Sequence, residues 1–395
     1  MSLARSVVCV AIALGCAATA RAADDAAVRL TQSAVVVDTH IDAPSELLDH
    51  WYDLGEATPQ REFDFPKARA GGLDVAFMSI YTSADEDDAG KAWQIANTQI
   101  DAVEAMAARH PDRFALVRSP RDIERLQRGG RVLLAMGMEN GAPIVDDLAN
   151  LARFHARGVR YITLAHGRNN RISDSATDFT ARWNGLSPFG RDVVKEMNRL
   201  GIMVDVSHLS EQAIAQAVEL SSVPVIASHS ALRHFTPGFQ RNLSDENVKA
   251  IAAKGGVIQV PLGTMFVNDS AAQTYSAFLR EREAFRQAKI AAQASGKPVE
   301  GKEPAFPTVA AASVSAVLDN IDRIRDLAGV THIGIGSDFD GVNGALVSEM
   351  KSVADYPVLV AGLKQRGYSD ADVRAILGGN LLRAWKAIED GAAAH

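Results

Sequence analysis

Eight short β-rich runs punctuate the chain, at residues 34–42, 73–81, 132–140, 159–166, 202–208, 223–230, 256–262 and 332–339. Several of them, VLLAMGM and GVIQV among them, are apolar at consecutive rather than alternate positions, the pattern of a strand buried on both faces. Between them lie stretches with helical spacing, at 190–200, 211–220, 245–254 and 313–327. Eight alternating units in a chain of about 370 residues without its leader predict a single (β/α)8 TIM-type barrel over residues 23–395, within the size range of that fold. A doubly wound open sheet is the alternative that the same alternation allows.

The longest break in the alternation, 263–307, follows the seventh run and carries the charged stretch TYSAFLREREAFRQAKIAAQASGKPVEGKEP. An excursion from the carboxyl end of a barrel strand is expected over the catalytic face, where it can wall a pocket or close it. A solvated or dimer-forming excursion is the other reading.

The first residues change the picture of where the protein works. Arg5, the apolar run from Val7 to Ala18, and the small residues around Arg21 have the anatomy of a secretory signal, predicted to occupy residues 1–22 with cleavage after Ala22 or Ala23. The run is shorter than the roughly 20 apolar residues of a spanning helix, and no later segment is apolar for long enough to form one. Export to the periplasm or the medium is therefore expected. Leu14-Gly15-Cys16 offers a second reading, a lipoprotein with Cys16 lipidated. Both cysteines, Cys9 and Cys16, fall in this leader, so the mature chain would have no disulfide, thiolate ligand or cysteine nucleophile. Loss of Arg5 and Arg21 with the leader deepens the formal charge from −7 to −9. Such an acidic chain is a poor match to nucleic acid or anionic membrane and points to a small-molecule substrate.

Ionisable residues recur where the runs end: His40 and Asp42, Glu139, His166, His208, His229 and Asp338. One such histidine would ordinarily be a hydrogen-bonded core residue, but seven polar groups converging on one barrel mouth would be costly to bury without a function. Two residues apart on a strand, His40 and Asp42 emerge on one face and can hold one ion together. Imidazole and carboxylate without thiol suit zinc, with manganese or iron also possible. His40 and Asp42 on one ion, His208 and His229 on another and Glu139 spanning both would leave positions open for water, as in a two-metal hydrolase. Of the two aspartates in SDFDG, strand parity selects Asp338 for proton transfer, with Asp340 left to shape the turn. Asp38 is expected to support His40, and no role follows from the spacing of His50, His155, His234 or His332.

The stretches VVDTHID, GMENG, YITLAHGRNN, NGLSPFGRDVVKEMNRLGIMVDVSHLS, PVIASHS, RNLSDE and GIGSDFDGV, in that order, resemble the renal or membrane dipeptidases of the amidohydrolase superfamily, and the chain looks like a bacterial member. The resemblance implies two Zn2+ per chain, with His40 and Asp42 on one, His208 and His229 on the other and Glu139 bridging them. It further implies that His166 contacts the substrate carbonyl, that Arg241 grips the substrate carboxylate and that Asp338 shuttles the proton. The expected activity is hydrolysis of dipeptides, L-Xaa-D-Xaa dipeptides included, by attack of a metal-bridging hydroxide, in a homodimer. The chain departs from the mammalian members in lacking their mature-domain cysteines and their hydrophobic carboxyl-terminal tail, which bears on assembly and anchoring rather than on chemistry. Another amide or lactam hydrolase on the same binuclear site is the alternative, and a non-catalytic exported binding protein a further one.

Overall fold

A computed structural model describes residues 24–126 and 129–392. The predicted leader, with Cys9 and Cys16, lies outside the described residues.

Nine parallel strands form the sheet: β1 (Val36–Ile41), β2 (Leu73–Tyr81), β3 (Phe114–Leu116), β4 (Val132–Glu139), β5 (Val159–Thr163), β6 (Met203–Asp205), β7 (Ile226–Ala227), β8 (Val257–Val260) and β9 (Ile333–Ile335). Eight of them close into a barrel, because β2 pairs with β4 as well as with β1, and β9 pairs with both β8 and β1. The eight are the predicted runs, and the fold is the expected (β/α)8 barrel. The ninth, β3, pairs only with Val132–Leu134 at the start of β4, below the point where β5 takes over at Met136. Three residues are too few to show a periodicity, so this strand had no sequence signal.

The apolar residues sort into two layers. Val37, Val75, Phe77, Leu133, Ala135, Tyr161, Met203 and Ile226 fill the barrel interior, and Leu381, Trp385 and Ile388 of the helix Asn380–Ala392 join that cluster. A larger cluster, with Val36, Ile41, Met78, Met138 and Val204, packs the strands' outer faces against the helical ring. In β1 the register shifts between Asp38 and Ile41, and this bulge lets His40 join the interior side while Ile41 packs outside. Gly137 is required where it stands, since a Cβ there would run into the ring of Tyr161, its register partner on the neighbouring β5.

Helix boundaries follow local chemistry. In Pro188–Leu200, Ser187 caps the start by accepting from Gly190 N, Pro188 takes the first turn, and Gly201 ends the helix at φ 74°. The excursion after β8 forms a short helix, Thr264–Val267, and then a long one, Asp269–Ser295. Only Ala271, Ala272 and Phe278 of the long helix are fully buried, because it stands over the barrel mouth rather than against the strands. Among the described residues no helix is long and apolar enough to cross a membrane.

Candidate metal centre and active site

The barrel strands end at one mouth, and the structure brings His40, Asp42, Glu139, His166, His208, His229 and Asp338 together there. Glu139, the last residue of β4, is the hub. Its Oε2 lies 3.4 Å from His40 Nε2, and its Oε1 lies 3.1 Å from His208 Nε2, 3.3 Å from His229 Nε2 and 3.5 Å from His166 Nε2. Burial alone would raise its carboxyl, but the surrounding imidazoles, His40 foremost, hold it well below the usual carboxylate range. Asp42, just past β1, places Oδ2 3.5 Å from His40 Nε2.

The imidazoles are oriented from behind. Tyr161 donates its hydroxyl proton to Thr39 O at 2.9 Å, so at 2.8 Å from His40 Nδ1 it can only accept. That fixes a proton on Nδ1 and leaves Nε2 as the nitrogen turned to Glu139; burial opposes the charge of this imidazole, but Tyr161, Glu139 and Asp42 raise it well above its usual range. His229 is set the same way: Ser228 Oγ donates to Asp205 Oδ2 at 2.6 Å and accepts from His229 Nδ1 at 2.8 Å. Asp205 is itself saturated by the Ser207 and Ser228 amides and by Thr163. Burial, followed by the charge of Arg241 for His208 and of His40 for His229, pushes both imidazoles well below their usual range. They are therefore neutral, lone-pair-bearing groups near pH 7, and their Nε2 atoms face each other at 2.8 Å.

These donors fit a metal centre. Among the described residues, His40 Nε2 and Asp42 Oδ2 are fully buried and find no hydrogen-bond partner, a costly state for polar atoms. Three buried carboxylates, Asp42, Glu139 and Asp338, crowd one site, and among the described residues no basic side chain other than histidine pairs with them in a salt bridge. Overlapping sets of donors, among them His40–Asp42–Glu139 and Glu139–His166–His208, each converge within 4.8 Å. Nitrogen and oxygen donors without sulfur are those of divalent zinc, manganese or iron.

The acid and the cation beside the cluster sit as follows. Asp338 lies beyond β9, in a turn at φ 66°, so the strand-parity reason for choosing it does not hold. What places it is the chain that follows. Its amide donates to His40 O at 3.0 Å, and Asp340, also left-handed at φ 64°, accepts from Glu62 N while Glu62 accepts from Asp340 N. Burial, with Asp42 nearby, raises the Asp338 carboxyl well above its usual range. Asp38 is buried under the site, its Oδ1 accepting from His40 N at 3.0 Å and from Ser337 N at 2.9 Å, and so ties β1 to the segment after β9. His208 is also left-handed, at φ 68°, which turns it from the end of β6 into the mouth.

Arg241 is 3% exposed and is held by Nη1 donating to Ser230 Oγ and Nη2 to His229 O, while its Nε has no partner among the described residues. Its guanidinium lies 5.3 Å from the centre of the Phe266 ring. His166, Arg241 and His208 line the inner end of a cavity of about 620 Å³ that the long helix Asp269–Ser295 walls on one side. Residues of the excursion's long helix thus line the cavity. The residues that spacing did not reveal are Tyr161, Asp205, Ser228 and Glu62. Three of them were detectable as polar residues inside otherwise apolar runs.

The profile of the membrane dipeptidases, peptidase family M19, matches residues 24–395. The dipeptidase tcpJ of Claviceps purpurea is 32% identical over 339 residues, 84% of this chain and 70% of that protein. Dipeptidase 3 of Mus musculus is 30% identical over 372 residues, 92% of this chain and 66% of that protein. The chain thus spans about two thirds of the length of the curated relatives it matches. Among solved structures, the probable dipeptidase PvdM of Pseudomonas aeruginosa superimposes with a TM-score of 0.81 at 28% identity, over 94% of this chain and 99% of that one. A metallo peptidase of Rhodobacter sphaeroides, solved with a phosphinate mimic of L-Ala-D-Ala, has the same fold at a TM-score of 0.72 and 23% identity, over 90% of this chain and 99% of that one.

Proposed function

The chain belongs to the membrane dipeptidase family, peptidase family M19, and from that premise we propose that it is a zinc-dependent dipeptidase that hydrolyses L-Xaa-L-Xaa and L-Xaa-D-Xaa dipeptides. The observation that carries this reading is Glu139, whose two oxygens face His40 on one side and His208 and His229 on the other. On it, His40 and Asp42 would hold one zinc and His208 and His229 the other, with Glu139 shared between the two sets. When bound, the two cations supply a water of lowered pKa and polarise the scissile carbonyl.

The chain's own groups do the rest. Arg241, fixed by Ser230 and the His229 carbonyl, offers its unpartnered Nε–H to the carboxylate of the substrate. That contact selects for a free carboxyl terminus next to the scissile bond. His166, on the cavity wall and 3.5 Å from Glu139, contacts the carbonyl oxygen as negative charge develops there. Asp338 takes the proton of the attacking water at its carboxylate and returns it to the leaving amine. The reading also includes export under a cleaved leader of residues 1–22 to the periplasm or medium, with lipidation at Cys16 as a further form. It includes a bacterial origin and a homodimer as well.

The test is zinc-reconstituted protein screened against L-Xaa-L-Xaa and L-Xaa-D-Xaa libraries with carboxyl- and amino-blocked controls. Cleavage of dipeptides with free carboxylates, and loss of kcat/KM in Arg241→Ala confined to those substrates, is the expected result. Equal loss for carboxyl-blocked analogues would remove the clamp, and cleavage of lactams or acylamides alone would favour the alternative hydrolase. Elemental analysis that found active protein without divalent metal would end the zinc assignment.

A further inference from the structure

The cavity is far longer than a dipeptide. Tyr275, Leu279, Arg282, Arg286, Lys289 and Gln293 recur at alternating intervals of four and three residues on the helix Asp269–Ser295, and all six line it. Lys289 stands roughly 21 Å beyond Tyr275 at 1.5 Å per helical residue, whereas two extended residues span at most about 7 Å. Two thirds of this wall therefore lies beyond the reach of a dipeptide held at Arg241.

That outer part has a definite chemistry. Phe179 and Ile290, two of the six large apolar residues most exposed among the described residues, both line it, at 52% and 47% exposure. Four cations, Arg168, Arg282, Arg286 and Lys289, and five carboxylates, Asp85, Asp88, Asp178, Glu283 and Glu303, line it, and they are unevenly matched. Arg168 is occupied by Asp85 and Asp88, and Arg286 by Glu283 at 2.7 Å. Asp178 accepts from the Asn169 and Thr180 amides of its own loop. Arg282, by contrast, has only Glu303 at 3.8 Å, and Lys289 makes no ion pair among the described residues. Exposed apolar surface next to two poorly matched cations is a receptor for a group with an apolar body and an anionic end.

We propose that this groove is a subsite for substrates extended on the amino side of the scissile bond, namely N-acylated dipeptides and short peptides whose extension is partly apolar and ends in an anion. The proposal rests on the dipeptidase reading for the placement of the carboxyl terminus at Arg241. Water adds across the amide as in dipeptide hydrolysis. The acyl carbon keeps the hydroxyl oxygen and leaves as the carboxylate of the extended fragment, and the nitrogen takes the proton and departs as the free carboxyl-terminal amino acid.

The experiment compares succinyl-(Ala)n-L-Ala-D-Ala with acetyl-(Ala)n-L-Ala-D-Ala, for n from one to three, on the zinc-reconstituted full chain, with L-Ala-D-Ala as reference. The succinyl members are expected to exceed their acetyl counterparts about two- to fivefold in kcat/KM, chiefly through KM, as one partly screened ion pair, to Arg282 or to Lys289 according to n, would give. Rising ionic strength should shrink that ratio, and Arg282→Glu combined with Lys289→Glu should bring it to one or below. Cleavage of L-Ala-D-Ala with no cleavage of any extended member would overturn the subsite. A succinyl-to-acetyl ratio near one in both wild type and double variant would equally overturn it. If L-Ala-D-Ala itself were not cleaved, the dipeptidase reading would fail, and calorimetric binding of succinyl over acetyl members would still decide the groove.

Discussion

Gly341 is the position where one methyl group should separate folding from catalysis. It follows the Asp338 turn without sharing the left-handed backbone of Asp338 or Asp340, so alanine adds a Cβ without backbone strain. That Cβ would fall against Asp42 Oδ2 and Asp338 Oδ1 at once, well inside the 3.0 Å below which such contacts do not occur. Each carboxylate must then retreat by about 0.5 to 1 Å, and misplacement of that size costs roughly 100-fold in rate. The loss corresponds to about 2.7 kcal/mol of transition-state stabilisation. Because both atoms are the ends of side chains that can swing, the barrel itself should tolerate Gly341→Ala, with a Tm within about 3 °C of wild type. The assay is kcat and KM for L-Ala-D-Ala at saturating zinc, so that any weakening of metal affinity through Asp42 is compensated. The loss should appear in kcat, because Arg241 is not disturbed. A variant within threefold of wild-type kcat under those conditions would refute the claim that the two carboxylates are held to sub-ångström tolerance.

Other predictions follow from the site and from one group remote from it. Asp338→Asn should keep its bound metal and lose hydrolysis by about 100- to 10,000-fold, measured by elemental analysis alongside steady-state kinetics; full activity would exclude the proton-transfer role. Tyr161→Phe removes the acceptor that fixes the His40 tautomer, and zinc affinity by chelator competition should fall about 10- to 100-fold, with an unchanged affinity counting against the assignment. His155 is pushed down to about 4 by burial and by the nearby charges of Arg160 and Arg118. A histidine depressed in the folded state contributes stability that is present above its ordinary value near 6.5 and lost as pH falls toward 4. Relative to His155→Gln, wild type should therefore lose about 1 to 2 kcal/mol between those limits, a figure discounted for partial exposure. Denaturant unfolding at pH 7 and pH 4.5 checks this, and parallel pH profiles would contradict it.

The barrel was legible in sequence because its strands, buried on both faces, leave unbroken apolar runs. The chemistry was legible because it lies where those runs stop. The runs overestimated the strands: β5 ends at Thr163, β6 at Asp205 and β9 at Ile335, before His166, His208 and Asp338. These side chains reach the mouth from turns, two of them through left-handed backbone, which no alternation of apolar and polar residues encodes. The supports escaped for a different reason. Tyr161 and Ser228 act through hydrogen bonds to imidazoles brought near by barrel closure, and Glu62 acts on Asp340 across most of the chain. The polarity of Tyr161 and Ser228 inside apolar runs is visible locally, but partners at that range are not.

Asp38 accepts from Ser337, so the contact that closes the first strand onto the rest of the barrel waits for residues that follow the last one. The donors at the mouth span the same interval, from His40 to Asp338. A polypeptide still being synthesised or threaded thus has isolated histidines but no binding mouth until the stretch around Asp338 is free. Cation capture is then a late event, governed by the ion supply of the compartment in which the barrel closes. Products truncated before that stretch would be inert rather than partly active.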